Sequence, residues 1–427
     1  MLDIPALVKS LENCPCGRSH QINISRVEIR PGVKADAGKI LREELGGKNL
    51  HVVYDDNTLG ASEGILDILR AAGYTLTETH YENLKEATMR EVEDVMRDAK
   101  GADAVLSIGT GSLNDICRYG CFLSGQPFAI FATAPSMDGF LSQQAPILTD
   151  GFKITYNAKA PAVLMADVDI LAKSPTELKA AGLGDLIGKY TALADWKVAA
   201  MTTGEYYCDA IAENMRKAVD EAVRLAKSGL GGTEDPDYAA SLMEALALSG
   251  LMIYLSGCTR PASGAEHHLS HFWEMQYVAR HLPPVYHGKK VGIAAGIVAD
   301  IYHKITACDD FDCAKKEMTE EELHPVFGPL YDMLMKENTP NPIDAVDPAV
   351  LKAHWKDIQK IVREEVPTGD EIRAILHEAG GEATPEEAGI PADLAYYAPR
   401  YGQYARFRMT LLRITNTLIV HGEDIYA

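Results

Sequence analysis

The stretch Ser107-Ile108-Gly109-Thr110-Gly111-Ser112-Leu113-Asn114-Asp115 follows an apolar run at 102–106 and precedes apolar residues at helical spacing. A strand, a tight glycine turn and a helix N-terminus together make an anion site. Backbone N–H groups point at the ligand, and the helix dipole favours negative charge there. Gly109 and Gly111 would let the backbone approach a pyrophosphate as no residue with a Cβ could. Asn114 stands where the ordinary dinucleotide fingerprint has its last glycine, so the stretch departs from that pattern.

Three further groups are candidates for metal chemistry. Gly184-Asp185-Leu186-Ile187-Gly188-Lys189 puts a carboxylate and an ammonium four apart, on one face of a helix. His267 and His271 are spaced the same way, and His287 stands at an apparent helix start before Gly288. One Asp and two His from three helices form a chemically sensible catalytic divalent-metal set, because three protein ligands leave positions for water or a substrate oxygen. The plainer reading is a lysine–aspartate helix pair and surface histidines. Five of the 13 histidines lie between 267 and 287, which favours the first. Near the N-terminus, Cys14-Pro15-Cys16-Gly17-Arg18-Ser19-His20 offers two thiolates and an imidazole, but no fourth ligand of a closed zinc site stands nearby in sequence.

The elements that must position these groups follow an α/β pattern. Strands are expected at 27–29, 49–54, 74–80, 102–106 and 128–132, alternating with helices at 59–72 and 88–100 and after the glycine turn. This alternation predicts a parallel sheet with helices on both faces and a ligand cleft beyond the carboxyl ends of its strands. Asp55 and Asp56 end one such strand, where either could accept hydrogen bonds from an adenosine ribose. After Val163-Leu164-Met165-Ala166-Asp167, long helical patterns dominate. Ser174-Pro175-Thr176-Glu177 reads as a helix start, Thr368-Gly369-Asp370-Glu371 as a capping box, and 401–418 as a last, basic amphipathic helix. Residues 1–170 are therefore expected to form an α/β dinucleotide-binding domain, with a cysteine-containing extension at 1–25. Residues 171–427 are expected to form a helical metal-binding domain.

Composition bounds the function. Forty-one basic against 61 acidic residues give a net charge of −20. That balance argues against nucleic acid or an anionic membrane as partner. It also requires a phosphorylated substrate to find a local positive site. No basic-then-apolar leader opens the chain, and no run was found to reach the roughly 18 apolar residues of a spanning helix, the best being 291–299. Eight cysteines in 427 residues are too few for a disulfide scaffold and point to a reducing cytoplasm. Cys117 and Cys121, four apart on one helix face, read as buried apolar residues.

Five motifs in order, between about 27 and 296, resemble the iron-dependent alcohol dehydrogenase and dehydroquinate synthase superfamily, and within it the bacterial branch of the sn-glycerol-1-phosphate dehydrogenases. Gly109, Gly111, Ser112 and Asp115 match its Gly-x-Gly-Ser-x-x-Asp turn, and Thr133-Ala134-Pro135-Ser136-Met137-Asp138-Gly139 its next element. Gly182-Leu183-Gly184-Asp185, the run Arg260-Pro261-Ala262-Ser263-Gly264-Ala265-Glu266-His267, and His287-Gly288 complete the set. Ala265 replaces the usual serine, and Gln143-Gln144-Ala145 departs from the archaeal pattern.

The resemblance implies a Rossmann-like domain followed by an all-helical one, with NAD(H) or NADP(H) as cofactor. Asp185, His267 and His287 would bind one divalent metal, whether zinc, nickel or iron. Gly109, Gly111 and Ser112 would take the pyrophosphate, Asp115 would belong to the same cofactor-binding turn, Thr133 and Ser136 would line the dinucleotide, and Asp55 or Asp56 would take the ribose. Asp138 would contact the substrate hydroxyl, with His271 one turn from the metal, near substrate or proton traffic. The implied reaction is reduction of dihydroxyacetone phosphate to glycerol 1-phosphate for glycerolipid synthesis, by a homodimer. A glycerol dehydrogenase and a dehydroquinate-synthase-like lyase are the alternatives. For the substrate phosphate, Arg260 is the first expected cation, followed by Lys153 and Lys159.

Overall fold

The computed structural model describes residues 3–149, 152–316 and 318–426. The chain divides into two compact units. The first comprises Met1–Leu183 with Lys217–Cys258, and the second Gly184–Arg216 with Thr259–Ala427.

The first unit is built on a six-stranded sheet of β1 (Arg26–Arg30), β2 (Asn49–Asp55), β3 (Thr75–Tyr81), β4 (Ala104–Gly109), β5 (Phe128–Ala132) and β8 (Val163–Asp167). Its order is β1-β8-β5-β4-β2-β3, and every pairing is parallel. The run of β-branched and apolar residues in β2 and β4 is what a strand covered on both faces requires. Leu50, Val52, Leu106 and Ile108 pack with Val33, Ala37, Ile40 and Leu41 of the Val33–Leu45 helix. The alternate residues Val53, Val105 and Ser107 are equally buried, so the opposite face is covered too.

Two elements of this unit differ from expectation. The helix expected at 59–72 is two helices, Asp56–Ala61 and Ile65–Ala71, parted where Gly64 adopts φ +83°. A glycine in the left-handed region cannot continue a helix. An antiparallel pair, β6 (Gln144–Thr149) and β7 (Phe152–Asn157), was not expected at all. The Pro236–Ser256 helix is a longer apolar element than the 291–299 run. By length and mean hydropathy of 1.5 it could cross a bilayer, but 72% of that window is buried inside the protein, as befits a core helix.

The second unit is helical. Its central members are Ala265–Ala279 and His287–Thr306, with Gly369–Glu378 capped as expected by Thr368 and Glu371. The basic amphipathic helix expected at 401–418 is absent. Ala392–Tyr401 ends in a short 3-10 turn, Gly402–Ala405, and the chain re-enters helix only at Leu411–Thr417, every residue of which is buried. Arg413, within the stretch expected as a basic amphipathic helix, is 1% exposed and braces the interior. Its guanidinium donates to Asn338 Oδ1 at 2.7 Å, to Asn341 Oδ1 at 3.1 Å and to the Arg406 carbonyl at 2.9 Å.

Candidate metal centre and dinucleotide turn

In the second unit three helices deliver the candidate ligands. Asp185 comes from Thr176–Thr203, His267 from the first turn of Ala265–Ala279, and His287 from the first residue of its own helix. One carboxylate oxygen and one nitrogen of each imidazole all lie within 4.8 Å of one another. The approach depends on glycines. A Cβ at Gly184 would stand 2.4 Å from the Gly288 carbonyl oxygen, so only bare backbone lets the helix bearing Asp185 reach the start of the helix bearing His287.

Neighbouring carboxylates hold the two histidines. His267 Nδ1 donates to Glu266 Oε1 at 2.7 Å, which leaves Nε2 as the lone-pair nitrogen, 3.7 Å from Asp185 Oδ1. Glu266 is fixed in turn by Thr191 Oγ1 and the Gly264 N–H, both at 2.6 Å, and burial raises its pKa against those donors. His287 Nδ1 donates to Glu274 Oε1 at 3.1 Å, and Lys290 Nζ lies 3.1 Å from the same oxygen. Asp185 is wholly buried with Lys189 Nζ at 2.7 Å. Burial alone would raise its pKa, but Lys189, His287 and His267 hold it well below the usual carboxylate range.

An N,N,O set whose imidazoles each give their other N–H to a carboxylate suits a divalent transition metal. The residues present therefore fit such an ion. Glu266 and Glu274, the carboxylates that orient the ligands, went unrecognised in the sequence. Glu266 stood inside a quoted motif, and Glu274 lies one helical turn beyond His271, so spacing carried a signal for both.

His271 belongs to the same cluster, its ring centroid 6.1 Å from that of His267 and 5.8 Å from that of His287. Its Nδ1 donates to Glu274 Oε2 at 2.9 Å, and its Nε2 accepts from Arg406 Nη2 at 3.0 Å. Burial and the Arg406 charge push its pKa well down, so the ring is neutral. The sequence reading did not single out Arg406.

Arg260, the first cation expected for the substrate phosphate, has partners of its own. It is 6% exposed, forks onto the Glu205 carboxylate and donates to the Met409 carbonyl at 2.5 Å. Its charge is compensated within the unit. Lys159, in the other unit, donates to the Gln126 carbonyl, and Lys153 lies on β7.

In the first unit the candidate cofactor residues collect at the carboxyl ends of parallel strands. Gly109 ends β4 with φ +157°, where a Cβ would sit 2.5 Å from Leu113 Cδ1. The Gly111–Ser124 helix starts after Thr110, which makes no side-chain cap, so its first N–H groups have no capping partner from that residue. Nothing in the protein lies within 4 Å of a Cβ built at Gly111. Ser107 Oγ donates to Asn114 Oδ1 at 2.7 Å and ties strand to helix behind the turn.

The other candidates lie in the same unit. Asp115 pairs with buried Arg118 at 2.6 Å, and Arg118 also donates to the Gly139, Phe140 and Gln144 carbonyls. Thr133 and Ser136 follow β5, the first buried and the second half-buried. Asp138 Oδ2 accepts from Ser249 Oγ at 2.8 Å. Asp55 caps the next helix through a reciprocal box with Thr58 and is 5% exposed. Asp56, 61% exposed, bonds His80 Nε2 at 2.6 Å.

Residues 28–175 match the model of the iron-containing alcohol dehydrogenase family. The chain is 32% identical to the glycerol-1-phosphate dehydrogenase [NAD(P)+] of Bacillus velezensis over 92% of both chains. It is 31% identical to that of Geobacillus stearothermophilus over 97% of this chain and 98% of the relative. Among solved structures, the alcohol dehydrogenase of Oenococcus oeni superposes with a TM-score of 0.60 at 15% identity, covering 94% of this chain and 97% of its own, and shows the same fold. Identity of this extent over nearly the full length of both relatives is decisive: the chain belongs to the glycerol-1-phosphate dehydrogenases, an enzyme family of the iron-containing alcohol dehydrogenase type.

Proposed function

We propose that the protein reduces dihydroxyacetone phosphate to sn-glycerol 1-phosphate with NADH or NADPH, supplying a glycerophosphate for glycerolipid synthesis. The observation that carries this reading is the convergence of Asp185, His267 and His287, in a chain that matches relatives of that name over nearly their whole length. These three residues would hold one divalent ion (zinc, nickel or iron), which when bound supplies Lewis acidity to polarise the ketone and stabilise the negative charge that hydride transfer creates.

The protein's own groups do the positioning. Glu266 and Glu274 keep His267 and His287 in the tautomer that exposes Nε2. Gly111 and Ser112 would offer the helix N-terminus to the dinucleotide pyrophosphate. Asp138, oriented by Ser249, would accept from a substrate hydroxyl. With Arg260 paired to Glu205, the substrate phosphate falls to Arg406. Its guanidinium stands at the histidine cluster, Nη2 donating to His271 Nε2 at 3.0 Å, and a planar guanidinium suits a phosphate. His271 then acts by holding Arg406 beside the site. A homodimer is the assembly proposed from the family resemblance.

The test is NADH oxidation with dihydroxyacetone phosphate, followed by chiral analysis of the product. Stoichiometric NADH loss and the 1-phosphate enantiomer are expected. Equal turnover of unphosphorylated dihydroxyacetone would instead make it a glycerol dehydrogenase. Turnover of either ketone without net NADH loss would favour the lyase alternative.

A further inference from the structure

A second metal-ligand cluster lies in the first unit, on residues that the dehydrogenase chemistry does not use. After the Ile4–Ser10 helix, Asn13 takes φ +62° and Gly17 φ +76°, and these two left-handed residues bracket Cys14-Pro15-Cys16 in a tight knuckle. Backbone bonds from the Cys14 N–H to the Leu11 carbonyl and from the Gly17 N–H to the Cys14 carbonyl, both at 3.2 Å, close it. The sulfurs of Cys14 and Cys16 and a ring nitrogen of His20 all lie within 4.8 Å of one another.

The histidine is set up as a ligand. His20 is 4% exposed, and its Nδ1 lies 2.7 Å from the Leu255 carbonyl oxygen. A carbonyl only accepts, so Nδ1 carries the proton and Nε2 is left with its lone pair. Nε2 faces Cys16 Sγ at 3.1 Å. Zinc-bound histidines give their second N–H to a carbonyl or carboxylate in this way, which fixes tautomer and ring orientation together. Arg18 pins the same loop by donating to the Ser256 carbonyl at 3.1 Å. A thiol-to-imidazole hydrogen bond would account for Cys16 and His20 alone. It would not account for a second sulfur converging on the same point.

We infer that Cys14, Cys16 and His20 hold a zinc ion that fastens the N-terminal segment to the end of the Pro236–Ser256 helix. Two thiolates and a neutral imidazole are a borderline-soft set that selects zinc over magnesium or calcium. Binding would release the two thiol protons. The ion is separate from the divalent metal of the Asp185 set, whose donors include no sulfur.

The experiment uses that difference. Protein produced with cobalt in place of zinc should show thiolate-to-Co(II) charge-transfer absorption in the near ultraviolet, which an Asp-His-His site cannot give. The zinc form should surrender about one equivalent of zinc to a mercurial thiol reagent. In Cys14→Ser/Cys16→Ser the charge-transfer band and that equivalent should both disappear, while His267→Ala keeps them. A parent protein with no charge-transfer band and no mercurial-released zinc overturns the proposal, whether or not the double variant folds. So does a double variant whose band and zinc content match the parent's.

Discussion

His267 illustrates how narrowly a single side chain is specified. Its Nε2 can serve a metal only because Glu266 takes the Nδ1 proton, and Glu266 is itself held by Thr191 and Gly264. His267→Ala should strip the divalent metal and lower turnover by orders of magnitude with the fold intact, as metal analysis and circular dichroism would show. Glu274→Gln should keep the ligands but loosen His287, costing roughly 10- to 100-fold in metal affinity or activity. Titration of the stripped enzyme with Zn(II) or Ni(II) measures this, and unchanged affinity would remove Glu274 from the ligand-orienting role. Arg406 and Arg260 form a second contrast. Arg406→Ala should raise KM for dihydroxyacetone phosphate at least tenfold and leave the weak rate on dihydroxyacetone near its parent value. Arg260→Ala should instead lower the melting temperature and reduce both rates alike, because it leaves Glu205 without its fork. The reverse pattern would return the phosphate to Arg260.

Helices and strands show which of these facts the sequence could carry. The parallel strands, the glycine turn and the candidates Asp185, His267 and His287 were legible because each is written locally, as apolar runs, turn residues and motif order. The fork of Arg260 on Glu205 was not, since its partner stands 55 positions away and is brought there by the fold. The basic residues at 401–418 misled for a related reason. Charge suggests a solvated helix face, yet Arg413 is inside, with its Nη atoms bonded to carbonyls and side-chain amides that no local pattern announces. The split of the expected 59–72 helix turned on one residue, Gly64, which takes a left-handed conformation. Glycine at 184 carries an element-scale prediction. In Gly184→Ala the new methyl meets the Gly288 carbonyl at 2.4 Å, so the two helices must part. Metal affinity and turnover should fall together, far more than Gly→Ala stabilises an ordinary helix, by about 1 kcal/mol. Retained metal affinity would mean the helices can shift without opening the trio. At the end of β2, Asp55 caps and Asp56 is exposed, so Asp56→Asn should narrow a preference for NADH over NADPH. Asp55→Ala should chiefly cost about 1 kcal/mol of stability.

Charge acts on the molecule as a whole. A net −20 repels both a phosphorylated ketone and a dinucleotide, and the repulsion reaches over the Debye length, about 30 Å at 0.01 M salt and about 10 Å at 0.1 M. The grip proposed for the phosphate is short-range and comes from a half-buried guanidinium, which salt screens much less. The two effects have opposite signs, and distance decides between them. Adding salt removes the long-range repulsion first and leaves the local contact largely in place. With NADH saturating, kcat/KM for dihydroxyacetone phosphate should therefore rise several-fold between about 0.01 and about 0.1 M salt. The same measurement on uncharged dihydroxyacetone should stay flat. It serves as the control, because any effect of salt on folding or on the metal centre would move both substrates together. A steady fall for the phosphorylated ketone alone would show that the field at the site is already positive at long range. Cations beyond Arg406 would then have to set that field, against the acidic balance of the chain.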